Sequence, residues 1–389
     1  MSVPEVPPYV PGLHAVPMPR ESTEWLHLAP APLVGRDGSG PVLDAYLMQV
    51  NTVLHDFFTA SRLRAHRLTP RFATLWEALQ TTTEGGKRFR PRLVFTACDG
   101  LGGADLKAAA VIGAAFELLH TALIVHDDVV DRDFVRRGRP NVSGRYLARA
   151  LELGLPQSEA EHRALSVGVV AGDLALFSAY RLIDGAVVSR STRSRLLGIL
   201  DDAVFASAAG ELLDIEFSFP DEDPLIQDVV AMERLKTAVY SFEAPLKAGA
   251  VLAGAGADTI AGLGEIGHSM GIAYQIIDDL LGVFGDEAGT GKTTLGDVRE
   301  GKRTVLMSHA AGQPEWAAIA GHLGNPELSR EHVQEVRDLL TKSGSRAHAE
   351  QLAVRYADRA RARIDCPDIP EPLRRGLEPM LSALLERSR

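Results

Sequence analysis

Two acidic runs carry the first chemical signal in this sequence. One is Asp127-Asp128-Val-Val-Asp131, at the end of an apolar stretch that also holds His120; the other is Asp278-Asp279, in a second apolar stretch that begins near Ala273. On a helix turning about 100° per residue, Asp127 and Asp131 stand ~40° apart and one turn along, and His120, two turns back, lies at nearly the angle of Asp127. Carboxylates at i and i+4 repel unless a cation stands with them, and a hard divalent ion such as Mg2+ is the natural counter-charge. Taken alone, the first run reads equally as a charged helix end whose acids pair with Arg132, Arg136 and Arg137. Two such faces are hard to explain separately; facing one another, they suit magnesium ions that bridge a diphosphate. That chemistry also needs bases for the phosphate oxygens. The chain offers them in short clusters: Lys87-Arg-Phe-Arg-Pro-Arg92, Arg136-Arg137, Lys236, Lys292 and Lys302-Arg303.

One stretch imitates a different chemistry. Gly289-Thr-Gly-Lys-Thr-Thr294 looks like a nucleotide-binding phosphate loop, but that loop needs glycine at position 286, where Asp286 stands. It also needs a preceding strand, and the segment before it reads as the helix carrying Asp278 and Asp279. An ATPase is not supported.

The elements that must position these residues are helices. From residue 42 onward apolar residues recur at three- and four-residue spacing among Ala, Leu, Glu and Arg, with helices expected around 42–65, 88–99, 107–133, 142–153, 162–190, 193–218, 225–243, 257–285, 303–321, 328–344, 347–364 and 371–387. No alternating strand pattern or strand-helix alternation appears, so the expected class is all-α. Gly113, Gly168, Gly172, Gly210 and Gly249 inside apolar helices point to close helix packing. Residues 1–41 hold nine of the 22 prolines and read as a loosely ordered extension, whereas no linker divides 42–389, which reads as one large helical domain.

Composition narrows the partners. The 389 residues carry 51 acids against 41 bases, a formal net charge of −10, so the chain has no overall attraction to a phosphate backbone and nucleic acid is not an expected partner. Cys98 and Cys366 are too few for a disulfide framework. With no signal-peptide pattern and no run of ~20 apolar residues free of charges, the expectation is a cytoplasmic protein without a transmembrane segment.

In order along the chain, Gly85-Gly-Lys-Arg-Phe-Arg-Pro-Arg92, His120 to Asp131, Arg136-Arg-Gly-Arg-Pro140, Lys236-Thr237, Tyr274-Gln-Ile-Ile-Asp-Asp279, Gly291-Lys292 and Asp297 to Thr304 resemble the signatures of the trans-isoprenyl diphosphate synthase, or polyprenyl synthetase, family. The resemblance covers about 42–389. It implies a helical bundle around a deep apolar cavity, the two aspartate motifs facing each other at its mouth, and a homodimer. It further implies three Mg2+ ions held by Asp127, Asp131 and Asp278, with Asp128 and Asp279 in support. Lys87, Arg90, His120 and Arg137 would hold isopentenyl diphosphate. Arg136, Lys236, Gln275 and Lys292 would hold an allylic diphosphate, with Thr237 and Lys302 as further substrate contacts. The implied reaction is ionisation of the allylic substrate, attack by the isopentenyl double bond and loss of a proton.

The chain departs from the pattern at Gly282, where the second motif normally ends in Asp; Asp286, two turns beyond Asp278, is a candidate outer-shell substitute. Product length is implied by the helix above Asp127, since an isoprene unit is about as long as one helical turn of ~5.4 Å. Ala122 and Leu123 occupy the first turn and Leu118 and Leu119 the next; small Ala122 favours geranylgeranyl diphosphate over a fifteen-carbon product, with longer chains as an alternative. A class I terpene cyclase is the main rival, because 278–286 comes near its second metal motif. Lys87, Arg90 and Arg137 argue against it, since a cyclase needs no second diphosphate site. A non-catalytic partner subunit would be expected to lose aspartates from the first motif, and all three are present.

Overall fold

The structure is a computed structural model that describes residues 41–219, 223–285, 296–325 and 327–386. The expected extension over 1–41 lies outside the described residues apart from Pro41, which opens the first helix. α1 (Pro41–Leu68) and α2 (Pro70–Thr83) pack on one another, and the sequence reading had no helix over 70–83. Its start signal is nonetheless present: Thr69 accepts the Phe72 N–H at 3.1 Å and Pro70 takes the first turn, where its missing N–H costs nothing. α3 (Phe89–Gly100) leads to α4 (Leu106–Val130), capped by Asp105, which accepts the Ala108 N–H at 2.9 Å.

α4 ends at Val130 rather than near 133. Arg132 turns to a left-handed φ of 55°, and the chain enters a two-residue hairpin, β1 (Val135–Arg136) against β2 (Arg139–Pro140), the only sheet among the described residues. Helices α5 (Val142–Glu152), α6 (Gln157–Asp184) and α7 (Arg190–Phe217) follow. α8 (Ile226–Glu233) then passes without a break into a π-helix (Arg234–Glu243) and α9 (Ala244–Leu252). The wider turn of a π-helix commonly marks a functional site. Gly210 on α7 lets this segment come close, because a side chain there would strike the Lys236 backbone.

α10 (Ala257–Phe284), α11 (Gly296–Glu300), α12 (Val305–Ala311), α13 (Trp316–Ala320), α14 (Arg330–Lys342), α15 (Ser345–Ile364) and α16 (Glu371–Glu386) complete the described chain. The single helix expected over 303–321 is two, since Gly312 and Pro314 fall between α12 and α13 and proline cannot continue the helical ladder.

Two apolar clusters form the core. One gathers Tyr46, Phe58, Trp76, Phe116 and Ile183 from α1, α2, α4 and α6; the other gathers Phe242, Leu263, Ile276, Leu340 and Leu377 around α10. Full burial of a side chain such as Phe116 contributes about 2–3 kcal/mol. Windows of α4 and α6, with mean hydropathy 1.9 and 1.4, are long and apolar enough by composition to cross a membrane. In α4, 78% of that window is buried inside the protein, the pattern of a core helix. α6 is different: Val170, Phe177 and Tyr180 face outward.

Candidate active site

The last turn of α4 presents Asp127 and Asp128, and Asp131 caps it, its N–H donating to the Asp127 carbonyl at 2.8 Å. Three cations meet these acids from three other elements. Arg136, on the hairpin, places Nη2 2.7 Å from Asp128 Oδ1 and 3.6 Å from Asp127 Oδ2. Lys236, on the π-helix, places Nζ 3.2 Å from Asp127 Oδ1, 2.9 Å from Glu211 Oε2 and 2.6 Å from Asp214 Oδ2. Lys302, just after α11, lies 2.8 Å from Asp131 Oδ2 and 2.7 Å from Glu300 Oε2.

The charges sort the three carboxyls. Burial pushes Asp127 toward the neutral acid, but Lys236, Lys302 and Arg136 outweigh it and hold the group below the usual carboxylate range. Burial raises Asp128 to about 6 despite Arg136. Burial also raises Asp131, with repulsion from Asp127 and Glu300 opposing the pull of Lys302.

On α10, Asp279 is buried and accepts the Gln275 Nε2–H at 2.8 Å. Burial and then the neighbouring Asp297 charge raise its pKa, and Glu233 on α8 stands against it. Position 282 supplies the link. A side chain there would collide with the Asp297 carboxylate oxygen Oδ2, so Asp297, from α11, sets its carboxylate where the motif lacks its third acid. Lys302 is shared by the first motif and Asp297: burial disfavours its charge, but Asp127, Asp131, Glu300 and Asp297 together hold the proton on. Asp286 and Lys292 lie outside the described residues.

A separate basic face surrounds the start of α3. Arg90 donates from Nη2 to Ser241 Oγ at 2.7 Å and to Tyr240 Oη at 3.3 Å, and its guanidinium lies 5.0 Å from the centre of the Tyr240 ring. His120 Nδ1 is 3.3 Å from the same hydroxyl; burial, then Arg90, Arg136 and Arg137, drives its proton off, so the ring is neutral. Arg137 lies over Gly85 and Gly86, whose φ values of 83° and 77° favour glycine, and a Cβ on either would sit 3.5 Å from its guanidinium nitrogens. Lys87 is exposed beside them.

The expected residues therefore fall into two groups. Asp127, Asp128, Asp131, Arg136, Lys236 and Lys302 come together directly; Arg90 and His120 share the Tyr240 hydroxyl, while Arg137 lies over Gly85 and Gly86. Thr237 follows Lys236 on the π-helix, half-buried, and on α4 Ala122 and Leu119 are buried while Leu123 is half-buried. The sequence reading gave no site role to Glu211, Asp214, Tyr240 or Ser241, and Asp297 and Glu300 entered it only within the Asp297-to-Thr304 signature. The i, i+3 spacing of Glu211 and Asp214 was a signal for one acidic face; nothing local pointed to Tyr240 or Ser241.

Among the described residues, no three acidic or histidine side chains converge closely enough to ligate one ion; Lys236, Lys302 and Arg136 stand between the acids. The donor set nevertheless fits Mg2+, which prefers oxygen, keeps several waters and takes one or two carboxylates alongside phosphate oxygens.

The profile of the polyprenyl synthetase family matches residues 73–340. The geranylgeranyl diphosphate synthase of Sulfolobus acidocaldarius is 34% identical over 282 residues, 70% of this chain and 78% of that protein. The geranylfarnesyl diphosphate synthase of Aeropyrum pernix is 33% identical over 288 residues, 73% and 84% of the two chains. A crystal structure of geranylgeranyl pyrophosphate synthase from Corynebacterium glutamicum, complexed with isoprenyl diphosphate and magnesium, superposes with a TM-score of 0.82 at 29% identity, covering 89% of this chain and 99% of that one. The all-α isoprenoid synthase fold, the ordered motifs and these relatives agree: the chain is a prenyltransferase of the polyprenyl synthetase family.

Proposed function

We propose that this enzyme condenses isopentenyl diphosphate with an allylic diphosphate to give a trans-polyprenyl diphosphate, chiefly geranylgeranyl diphosphate. The observation that carries the reading is the presence of two groups of basic side chains, one with Lys236, Lys302 and Arg136 among the aspartates and a second with Arg90, His120, Arg137 and the exposed Lys87. Ionising one diphosphate needs only the first; the second has a purpose when a second diphosphate binds.

Asp127, Asp131 and Asp278, with Asp128 and Asp279 in support, would hold three Mg2+ ions, and Asp297 supplies the carboxylate missing at position 282. When bound, magnesium neutralises the allylic diphosphate and makes it a good leaving group. Arg136, Lys236, Gln275 and Lys302 grip that diphosphate, and Lys292 joins them in this reading. Asp128 is steadied by Arg136 and Asp279 by Gln275. The allylic C1–O bond breaks, the isopentenyl double bond attacks C1, and a proton passes to the departing diphosphate. Neutral His120 can donate one hydrogen bond to the isopentenyl diphosphate without adding charge.

Ala122, small and buried one turn above Asp127, favours a chain longer than fifteen carbons in this reading, and the relatives' names span geranylgeranyl and geranylfarnesyl products. Incubation with Mg2+, labelled isopentenyl diphosphate and dimethylallyl, geranyl or farnesyl diphosphate, followed by chromatography, tests reaction and length together. A twenty-carbon diphosphate is expected. No elongation from any primer removes the reading, and a cyclic hydrocarbon made without isopentenyl diphosphate replaces it with a cyclase.

The same reading makes the protein a cytoplasmic homodimer. Its two cysteines are free thiols, and α6 and α7, which pack together, turn Val170, Phe177, Tyr180, Phe205 and Leu212 outward, with Phe205 80% exposed. Apolar side chains of that size on neighbouring helices suit burial against a second copy. Sedimentation of Phe177→Glu/Phe205→Glu is expected to show a monomer where the parent is a dimer; a variant that stays dimeric moves the interface elsewhere.

A further inference from the structure

Glu117 is a buried carboxylate three residues before His120 that faces α3 rather than the aspartates. Its Oε2 accepts from Arg88 Nη1 at 2.8 Å, while Oε1 stands 4.0 Å from Arg90 Nη1 and makes no hydrogen bond. Arg88 is itself pinned from two more helices, donating to the Thr83 carbonyl at 2.8 Å and to Asn51 Oδ1 at 3.0 Å. It also holds a left-handed backbone, φ 49° and ψ 44°, as the residue just before α3. A non-glycine residue keeps that conformation only where its surroundings enforce it.

We infer that Glu117 is the positioning residue of the isopentenyl diphosphate grip: through Arg88 it fixes the backbone between Lys87 and Arg90, and through its second oxygen it holds the Arg90 guanidinium without binding it. This inference rests on the two-anion reading above. The left-handed turn at Arg88 sends one side chain inward and leaves Lys87 on the exposed side. A bidentate arginine-carboxylate pair would compete with the substrate for the guanidinium. At 4.0 Å the charge attracts Arg90 without forming a hydrogen bond to its guanidinium. Glu117 touches no substrate, and its effect reaches only one of the two diphosphates.

The test is Glu117→Gln, which keeps the shape and removes the charge, assayed for both substrates. The KM for isopentenyl diphosphate is expected to rise about tenfold, with kcat within about threefold and the allylic KM within about twofold. A merely structural role would move both KM values or the melting temperature instead. Equal changes in the two KM values, or no change in a folded variant, overturn the inference. Should Glu117→Gln not fold, Arg88→Gln/Glu117→Gln removes the Arg88–Glu117 ion pair as a unit and is expected to show the same split. An unmodified enzyme that fails to turn over isopentenyl diphosphate removes the underlying reading; normal turnover with no split removes only the part given to Glu117.

Discussion

Asp127→Ala is expected to lower turnover by on the order of 10³-fold while the protein stays folded. Asp127 is the one carboxyl of the first motif whose pKa its surroundings lower rather than raise: Lys236, Lys302 and Arg136 outweigh its burial. In the proposed reaction it is the acid most ready to take a divalent ion without first losing a proton. Stability responds differently. The substitution removes contacts at 3.2 Å to Lys236 and 3.6 Å to Arg136, but it also relieves repulsion with Asp131 and Glu211. Lys236 keeps Glu211 and Asp214, and Arg136 keeps Asp128, so no buried cation is stranded. With the side chain about a quarter exposed, the net change is expected to stay within about 1 kcal/mol. Product chromatography and a thermal melt on the same preparation check both halves. A rate near that of the parent removes Asp127 from the metal assignment; a collapsed melt shows that the site acid was needed for folding.

The acids of this site are already accompanied by the protein's own cations. Asp127, Asp128 and Asp131 each have a lysine or arginine within 3.2 Å. Without them, several carboxylates at the end of a buried helix would repel one another or take up protons. The same lysines are the groups proposed to grip diphosphate, so one set of side chains serves the folded protein before substrate arrives and the leaving group afterwards. This arrangement explains why an acidic chain keeps its few site bases on separate elements: each comes from a different part of the fold and all end at one place.

How much of this was legible beforehand depends on the range of the interaction. The stripe His120, Asp127 and Asp131 could be read from helical spacing alone, since all three lie on or cap one helix, α4. The all-α class was legible too, because apolar periodicity is repeated along the chain. α2 is harder to read because it is short, with Phe72, Leu75, Trp76 and Leu79 its only large apolar residues and a threonine-rich end. The hairpin after Val130 escaped because a left-handed arginine is not a turn signal of the usual kind. Partners across the fold had no local signature at all. That Lys236 would meet Glu211 and Asp214, or that Arg90 would meet Tyr240 and Ser241, depends on a π-helix whose register no 3.6-residue pattern predicts.

Gly282 shows the limit most sharply, and it supports a second large effect. From sequence the missing third acid of the second motif looked like a weakness, with Asp286 as the nearest substitute along the chain. In the fold the acid beside position 282 comes from α11: the Asp297 carboxylate fills the space a side chain at 282 would need, and its charge is felt by both Asp279 and Lys302. Asp297→Ala is therefore expected to weaken Mn2+ binding in the presence of an allylic diphosphate, read by calorimetry, by roughly 10- to 100-fold, with a matching rise in the Mg2+ needed for turnover. Gly282→Asp alone should also impair the site, since its Cβ collides with Asp297. Combined as Gly282→Asp/Asp297→Ala, the two changes exchange the origin of one carboxylate and leave the number of acids constant. The double variant is expected to bind metal at least tenfold more tightly than Asp297→Ala. If it binds no better than that single variant, or if Asp297→Ala binds like the parent, Asp297 is not the third acid, and its closeness to Gly282 reflects packing alone.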